Sequence, residues 1–214
     1  MLEDVLLITE KHREAANYIT GEILKNKTDK FIVAISGESG SGKSELTHVV
    51  AKNLRKHGIF AKPVHIDNFY RILPLERTEW RQKNGIEKVV GLGEIDWQGV
   101  KQTVDDFKNS RKNTMPCVDL VTEQIDQLTT DFNGIDMIIM DGLYAINCEE
   151  AELRVFIELT YHETKKAQSS RGKEPQNEYR MRVLEQEHKV VQSLKPKADL
   201  LIGMDYKVRP AGGI

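Results

Sequence analysis

Several features that mark common classes of protein are scarce in this sequence. Only two of the 214 residues are cysteine, Cys117 and Cys148. They lie too far apart for a Cys-x-x-Cys pair and cannot form a metal site between them, so we expect both thiols to be reduced core residues. The longest apolar runs cover about five residues, against the roughly 20 that a membrane-spanning helix needs. Since the first residues are also acidic rather than basic, we expect a cytoplasmic protein without a membrane partner.

An excess of charge of one sign is also missing. Lysine and arginine together number 31, aspartate and glutamate 33, and the formal net charge is −2. Without a positive excess there is no field to hold a polyanion, so we expect no nucleic-acid partner. The six prolines are scattered, no repeat is present, and 39% of the residues are hydrophobic. We expect one domain that spans residues 1–214.

One segment carries a specific chemical signal. Residues 37–44 match the phosphate-binding pattern G-x-x-x-x-G-K-[ST], between a β-branched run at 31–35 and an amphipathic helix pattern. Glycines let the backbone turn its N–H groups inward around a β-phosphate at the positive end of the helix. We expect Lys43 to reach the β- and γ-phosphates and the hydroxyl of Ser44 to bind Mg²⁺. The predicted nucleotide-binding residues here are Gly37, Ser39, Gly40, Ser41, Gly42, Lys43 and Ser44.

Predicted helices and strands alternate along the chain. Helices are predicted over about 2–25 and near 43–57, 97–110 and 176–194, and strands near 31–36, 60–66, 115–118, 135–141, 154–158 and 198–202. This alternation is typical of an α/β fold, here a P-loop NTPase fold with a parallel sheet and helices on both faces. Residues 68–93 are too long for a simple connection, and we expect them to cover the substrate. The first helix either covers the sheet or supports a homo-oligomer.

An aspartate, Asp67, follows the second predicted strand. A helix of about 14 residues rises roughly 21 Å, and a returning strand of about six residues covers roughly 20 Å, so the chain returns to the edge where the phosphate loop starts. Ligands of open α/β sheets bind at that edge. A carboxylate there can accept the proton of an attacking hydroxyl while Lys43 and Mg²⁺ offset the charge on the phosphoryl group. The competing interpretation makes Asp67 a helix cap or a turn residue.

A second aspartate, Asp141, follows the apolar run Met137–Met140. The carboxyl end of a central strand is the usual place for a group that holds Mg²⁺ through a water, so we predict that Asp141 binds the metal. The pattern is loose, because acidic residues at strand ends are common.

A basic segment of small residues lies at 165–173, between the strand near 154–158 and the last helix. A run of like charges is often a solvated surface. In a phosphoryl-transfer enzyme, however, cations on a closing lid neutralise the transferred phosphate and exclude water. We therefore predict a short lid over about 162–175, in which Lys166, Arg171 and Lys173 face the phosphates and Arg171 takes part in catalysis.

In their order these segments resemble the uridine kinase and phosphoribulokinase family of P-loop kinases, over about residues 30–205. Asp67–Tyr70 looks like the family's aspartate-x-phenylalanine-tyrosine motif, whose aspartate is taken as the catalytic base. Further resemblances, to the family's phenylalanine-aspartate, proline-valine-tyrosine-aspartate, lid and last-strand segments, lie at Ile95–Trp97, Pro116–Thr122, Arg171–Lys173 and Ala198–Ile202. The resemblance implies a kinase that uses ATP and Mg²⁺ to phosphorylate a hydroxyl of a small molecule. It also implies acceptor-binding roles for Asp67, Tyr70, Asp96 and Asp119.

The sequence departs from the uridine kinases where they recognise the nucleoside. A tyrosine, a histidine and an arginine of that pocket are replaced by Val118, Glu123 and Ile125, and the ribose-binding aspartate falls near Val90. The resemblance therefore implies a kinase whose family usually phosphorylates uridine or cytidine, and the replacements affect the nucleoside contacts and not the phosphate-transfer residues. The alternatives are a kinase for a sugar or sugar phosphate, and a regulatory P-loop protein that binds nucleotide without turning it over.

Residues Asn26–Asp29 spell the N-K-x-D signature by which GTPases recognise guanine. In GTPases this motif lies far downstream of the phosphate loop, whereas here seven residues separate Asp29 from Gly37, room for one strand only. We therefore expect no GTPase site. We also expect His65, which precedes the site on a strand, to be structural, and the other histidines show no metal-ligand spacing.

Overall fold

The computed structural model describes residues 6–119, 121–164 and 177–212. Its helices are α1 (Glu10–Asn26), α2 (Lys43–Lys56), α3 (Pro74–Asn84), α4 (Ile86–Val89), α5 (Trp97–Lys108) and α6 (Glu178–Leu194). Its strands are β1 (Phe31–Gly37), β2 (Ala61–His65), β3 (Lys112–Val118), β4 (Ile125–Asp131), β5 (Met137–Gly142), β6 (Leu153–Ile157), β7 (Leu200–Ile202) and β8 (Val208–Pro210). A 3-10 turn at Ile66–Phe69 follows β2. Within the described ranges no helix is long and apolar enough to cross a membrane.

Six of these strands form one sheet in the order β2-β5-β1-β6-β7-β8. Neighbouring strands are parallel except for the last pair, β7 and β8. β1 lies inside the sheet and is buried along its whole length, as its β-branched run predicts for a strand covered on both faces. The predicted α/β fold with a largely parallel sheet is confirmed.

Helices cover both faces of this sheet. On one face, Val33 of β1 belongs to a buried cluster with Ile19 of α1 and Leu46 of α2. On the other face, Ile32 belongs to a second cluster with Phe107 of α5 and with residues of α6. Because successive side chains of a strand point to opposite faces, β1 contributes to both cores. The two layers of helices fix the sheet, and the ends of its strands carry the loops described below.

The predicted strand near 115–118 does not join the parallel sheet, so that part of the sequence-based prediction is wrong. It belongs to β3, which pairs antiparallel with β4 in a separate two-stranded sheet. The residues of β4 are mostly polar and exposed, so they lack the alternation that marks a half-buried strand. The segment 68–93, for which no helix is predicted, contains α3 and α4.

The first helix begins at Glu10, and the prediction of a helix from about residue 2 is wrong for residues 6–9. Thr9 precedes the helix with an extended backbone. Its backbone nitrogen lies 3.0 Å from Nδ1 of His12, and its hydroxyl lies 2.9 Å from the same ring nitrogen. Because His12 Nδ1 accepts from the Thr9 backbone N–H, a backbone donor at the start of α1 is satisfied.

Candidate active site

The ends of three adjacent strands bring the main predicted residues together. β1 runs into the phosphate loop, residues 37–44, and β2 runs into the 3-10 turn that carries Asp67. β5 lies between these two strands and ends at Asp141 and Gly142. In the register of the sheet, Asp141 is the partner of both His65 and Ile35. Because the three strands are parallel, both aspartates and the phosphate loop share one edge of the sheet.

The phosphate loop has the backbone that its glycines permit. Gly40 and Gly42 have φ values of 77° and 92°, which side-chain-bearing residues rarely adopt. A Cβ on Gly42 would lie 2.3 Å from the Tyr206 hydroxyl oxygen and 2.6 Å from His12 Nε2. The Tyr206 hydroxyl also donates to the Ser41 carbonyl at 2.9 Å. Distant parts of the chain therefore contact the loop directly before α2, whose first N–H groups form a ready anion site.

The side chain of Lys43 spans the phosphate loop. Its Nζ donates to the carbonyl oxygen of Glu38 at 3.0 Å. Its positive charge also acts on Asp67, where it is the strongest influence opposing the rise in that residue's pKa. Lys43 is therefore within electrostatic reach of both the loop and the proposed base.

Asp67 occupies an enclosed position. Its Oδ1 is buried and has no hydrogen-bond partner among the described residues. Burial raises the pKa of this carboxyl, and the neighbouring Asp141 raises it further, while Lys43, His65 and Arg77 lower it. A carboxylate that holds a proton more readily than usual is a stronger base, which suits proton transfer from a hydroxyl.

Gly142 at the end of β5 makes room for this carboxylate. A Cβ at that position would lie 2.9 Å from the Ile66 Cβ and 3.1 Å from Asp67 Oδ1. Any larger residue would push against the turn that carries the carboxylate. The glycine after Asp141 therefore has a steric role in placing Asp67.

Asp141 offers one carboxylate oxygen to a ligand. Its Oδ1 lies 2.5 Å from His65 Nδ1, and its buried Oδ2 has no partner within the described part of the chain. Groups of three or more acidic, histidine or cysteine side chains that could hold a metal do not occur among the described residues. A magnesium ion here would thus depend on phosphate and water ligands, as Mg²⁺ commonly does at nucleotide sites. One carboxylate oxygen and the Ser44 hydroxyl fit such an ion.

Arg77 and Tyr70, both after Asp67 in the chain, form a stacked pair. The guanidinium carbon of Arg77 is 3.8 Å from the ring centre of Tyr70, a cation-π contact. Burial raises the pKa of the Tyr70 hydroxyl well above its ordinary value, with Asp67 adding to the effect. Nη2 of Arg77 donates to the Ile72 carbonyl at 3.3 Å, and Arg77 forms no ion pair with any described carboxylate. The positive charge of Arg77 acts on Asp67, where it lowers the pKa of the carboxyl.

A buried ion-pair network supports this region. Arg81 donates to both carboxylate oxygens of Glu94, at 2.7 and 3.0 Å, and lies 3.7 Å from Glu187 of α6. All three side chains are almost fully buried. Because a bidentate pair fixes both partners, the network joins α3, the turn before α5, and α6.

Asp96 and Asp119, predicted to bind the acceptor, make local backbone contacts. Asp96 caps α5, where its Oδ1 accepts from the Gly99 backbone at 3.2 Å. Asp119 lies in the β3–β4 connection, and its Oδ1 accepts from Val121 and Thr122 at 2.8 and 3.3 Å. The Val121 backbone bond lowers the pKa of Asp119. These contacts resemble the turn and cap functions of aspartate, and the acceptor roles stay predictions.

The predicted lid residues Lys166, Arg171 and Lys173 lie outside the described residues. The described chain reaches Thr164, whose hydroxyl donates to the Ser39 carbonyl at 2.8 Å. The N-K-x-D segment at 26–29 precedes β1, at the amino end of the strand that leads into the phosphate loop. The whole length of β1 separates this segment from the loop. A segment that recognises guanine would instead have to lie next to the bound nucleotide.

The positions that depart from the nucleoside pocket are apolar or exposed. Val118 is buried, and its backbone N–H donates to Asn68 Oδ1 at 3.2 Å. Val90 packs in an apolar cluster with Ile86 and Val183. Glu123 is exposed. Neither valine side chain can hydrogen-bond a base or a ribose.

Several contributors to the site carry no sequence signal. Arg77 lies in a segment without a recognised pattern, and Tyr206 lies 165 residues from Ser41, to which it donates. His12 belongs to the first helix. Only the three-dimensional fold brings them to the loop and to Asp67.

Several known kinases are similar to this chain in sequence or in fold. The chain is 25% identical over 137 residues to a uridine kinase of Ureaplasma parvum serovar 3, covering 62% of this chain and 64% of that relative. The match thus spans less than two thirds of the relative's length. The fold is similar to a "possible uridine kinase" from Bacillus stearothermophilus, with TM-score 0.60, 22% identity, and coverage of 74% of this chain and 90% of that chain. A D-glycerate 3-kinase from Cryptococcus neoformans var. grubii gives TM-score 0.60, 11% identity and coverages of 94% and 98%.

The two solved structures share the fold at low sequence identity and say nothing by themselves about the acceptor. The sequence profile of the Phosphoribulokinase / Uridine kinase family, however, matches residues 32–163. That range is more than half of the 214 residues and contains the phosphate loop, Asp67 and Asp141. This chain therefore belongs to the phosphoribulokinase and uridine kinase family.

Proposed function

We propose that this protein is an ATP-dependent kinase that transfers the γ-phosphoryl group to a hydroxyl of a small molecule. The observation that carries the proposal is the state of Asp67. Its Oδ1 is enclosed without a described partner, its pKa is raised, and the charge of Lys43 acts on it. A carboxylate in this state, at the edge where the phosphate loop opens, is suited to accept the proton of an attacking hydroxyl.

The remaining roles follow from position and chemistry. The loop residues Gly37–Ser44 bind the triphosphate of ATP, and Lys43 offsets the charge that develops during transfer. Ser44 and Asp141 would hold Mg²⁺, which when bound supplies positive charge against the phosphates. Lys166, Arg171 and Lys173 would approach the transferred group from the lid proposed over 162–175.

The chain departs from the family pattern where a nucleoside would bind, and the apolar positions there favour an acceptor other than a pyrimidine nucleoside. A site that hydrogen-bonds a nucleobase needs buried polar partners, which Val118 and Ile125 do not offer. We therefore expect uridine and cytidine to be poor acceptors, with kcat/KM below the roughly 10⁴ M⁻¹s⁻¹ low end for well-matched substrates. Steady-state kinetics with both nucleosides tests this. Efficient phosphorylation of either would show that other residues, such as those of α3 and α4, form a nucleoside pocket.

Two other functions also agree with a phosphate loop in this family. One is a kinase for a sugar or sugar phosphate, which agrees with the missing nucleoside contacts. The other is a P-loop protein that binds nucleotide without turning it over and acts as a regulator. Asp67 argues against the second alternative, because a nucleotide-binding module has no need of an enclosed base beside the phosphates.

The test is a screen for acceptor-dependent formation of ADP. Nucleosides, pentose phosphates and small sugar acids are offered one at a time with MgATP, and then with MgGTP. We expect ATP to be preferred and at least one acceptor to raise ADP formation well above the rate without acceptor. Binding of ATP without acceptor-dependent turnover across the whole panel would favour the regulatory alternative. A cytoplasmic location is a further expectation of this proposal.

A further inference from the structure

The phosphate loop contains a buried acid that the proposed chemistry does not use. Glu38 follows Gly37 and is only 2% exposed. A carboxylate inside a triphosphate cradle repels the phosphates unless it is turned away and satisfied elsewhere. The presence of this side chain at the second position of the loop therefore needs a structural explanation.

Three donors from outside the loop hold the Glu38 carboxylate. Oε2 accepts from the Tyr161 backbone at 2.7 Å. Oε1 lies 2.7 Å from Nδ1 of His188 and accepts from Nε2 of Gln192, also at 2.7 Å. Because a carboxylate can only accept, the contact with His188 requires the imidazole proton on Nδ1.

These donors come from two separate elements. His188 and Gln192 are four residues apart on α6 and so lie on the same face of that helix. Tyr161 precedes Thr164, whose hydroxyl donates to the Ser39 carbonyl at 2.8 Å. The first residues of the loop are thus held by α6 on one side and by the chain that follows β6 on the other.

The same residue also contacts the catalytic lysine. While its side chain is directed to α6, the backbone carbonyl of Glu38 accepts from Lys43 Nζ at 3.0 Å. The carboxylate therefore sets the orientation of a peptide group that holds Lys43. Loss of the carboxylate contacts would free both the loop backbone and the position of the lysine ammonium.

We propose that Glu38 is a positioning residue that braces the phosphate loop against α6 and against the segment after β6, so that the loop is shaped for the triphosphate before ATP arrives. The inference rests on the proposed function, since it assumes that the loop binds ATP. The inference predicts that Glu38 strengthens ATP binding although its carboxylate is negatively charged. It does so because it orders the loop before ATP binds.

The sign of the change in ATP affinity tests this inference. If Glu38 acted only as a like charge near the phosphates, Glu38→Ala would bind ATP more tightly. If it braces the loop, Glu38→Ala should weaken ATP binding about tenfold or more, roughly 1.4 kcal/mol. Isothermal titration of MgATP into the full chain measures this without any need for turnover.

Two further variants keep the test informative. Gln192→Leu removes one donor from α6 and should weaken ATP binding in the same direction. Because both changes break one contact, the double variant should bind ATP little worse than Glu38→Ala alone. The matched control is Glu152→Ala, which removes a carboxylate that accepts from the Ile32 backbone at the other end of β1. We expect the control to alter stability but to leave ATP affinity within about twofold of the unmodified chain.

Unchanged or tighter ATP binding by Glu38→Ala, or losses that simply add in the double variant, would overturn the inference while leaving the proposed function intact. If Glu38→Ala does not fold, Gln192→Leu decides alone: affinity equal to that of the control would overturn the brace. Failure of the unmodified chain to bind ATP would instead contradict the proposed function, and the brace with it.

Discussion

Replacing Asp67 with asparagine separates a catalytic role from a structural one. Asparagine keeps the shape of the side chain but cannot take up the proton of the acceptor hydroxyl. A positioned base contributes about 10²–10⁴-fold, so we expect the transfer rate to fall at least about a hundredfold. At about 1.36 kcal/mol per tenfold, this is a loss of roughly 2.7 kcal/mol of transition-state stabilisation. ATP binding should persist, since the loop residues are unchanged.

The structure also predicts the effect of Asp67→Asn on stability. Burial holds the pKa of this carboxyl above its unfolded-state value. The stability contributed by such a group is fully present at low pH and is lost as the pH rises through the raised pKa. Above the raised pKa the buried charge therefore weakens the fold, and a neutral replacement should be no less stable there. A slower enzyme with an undiminished melting temperature is the expected result.

Initial rates of ADP formation, isothermal titration of ATP and thermal unfolding together measure these effects. Asp29→Asn is the matched control, because Asp29 is exposed and precedes β1, far from the phosphate loop. It should change none of the three, and an unaltered nucleotide preference would also exclude a guanine site there. A collapse of ATP affinity with unaltered residual chemistry would show that Asp67 is a metal-binding or structural group.

Three further variants test the surrounding site. Lys43→Ala should lose at least about a hundredfold in turnover, roughly 3 kcal/mol, while remaining folded by circular dichroism, and near-normal turnover would refute the phosphate-loop assignment. Gly142→Ala places a Cβ 3.1 Å from Asp67 Oδ1 and should lower kcat about tenfold or more, whereas Gly93→Ala, with no neighbour within 4 Å, should not. Arg77→Gln removes a charge that lowers the pKa of Asp67, so the acidic limb of the kcat/KM profile should move to higher pH; an unmoved limb would mean that Asp67 is not the titrating base.

The unit of β1, phosphate loop and α2 could be predicted from the sequence because its signals are local. The strand predicted at 31–36 is Phe31–Gly37, and the helix predicted at 43–57 is Lys43–Lys56. The placement of Asp67 at the loop's edge follows from the rise of a helix and the return of a strand. In contrast, nothing in the 125–131 sequence marks a strand, because β4 is held mainly by its pairing with β3 and buries few side chains.

Local sequence patterns do not reveal the residues that support the site, for a related reason. Arg77 matters because α3 brings it over Tyr70, and Glu38 matters because α6 reaches the loop. Both depend on packing between elements that are distant in sequence. Asp96 is a different case, because its motif correctly marks the start of α5 but does not identify a binding role. The observed contact is a helix cap, which any aspartate at that position can provide.

The most direct test of the proposed function follows the γ-phosphate itself. ATP labelled in that phosphate is incubated with Mg²⁺, the full chain and each candidate acceptor, and the products are separated. We predict that the label moves to an acceptor in an amount that depends on the acceptor and is lost in Lys43→Ala and strongly reduced in Asp67→Asn. Label that appears only as inorganic phosphate, or stays on ATP with every acceptor while ATP binds, would contradict the assignment of this protein as a small-molecule kinase.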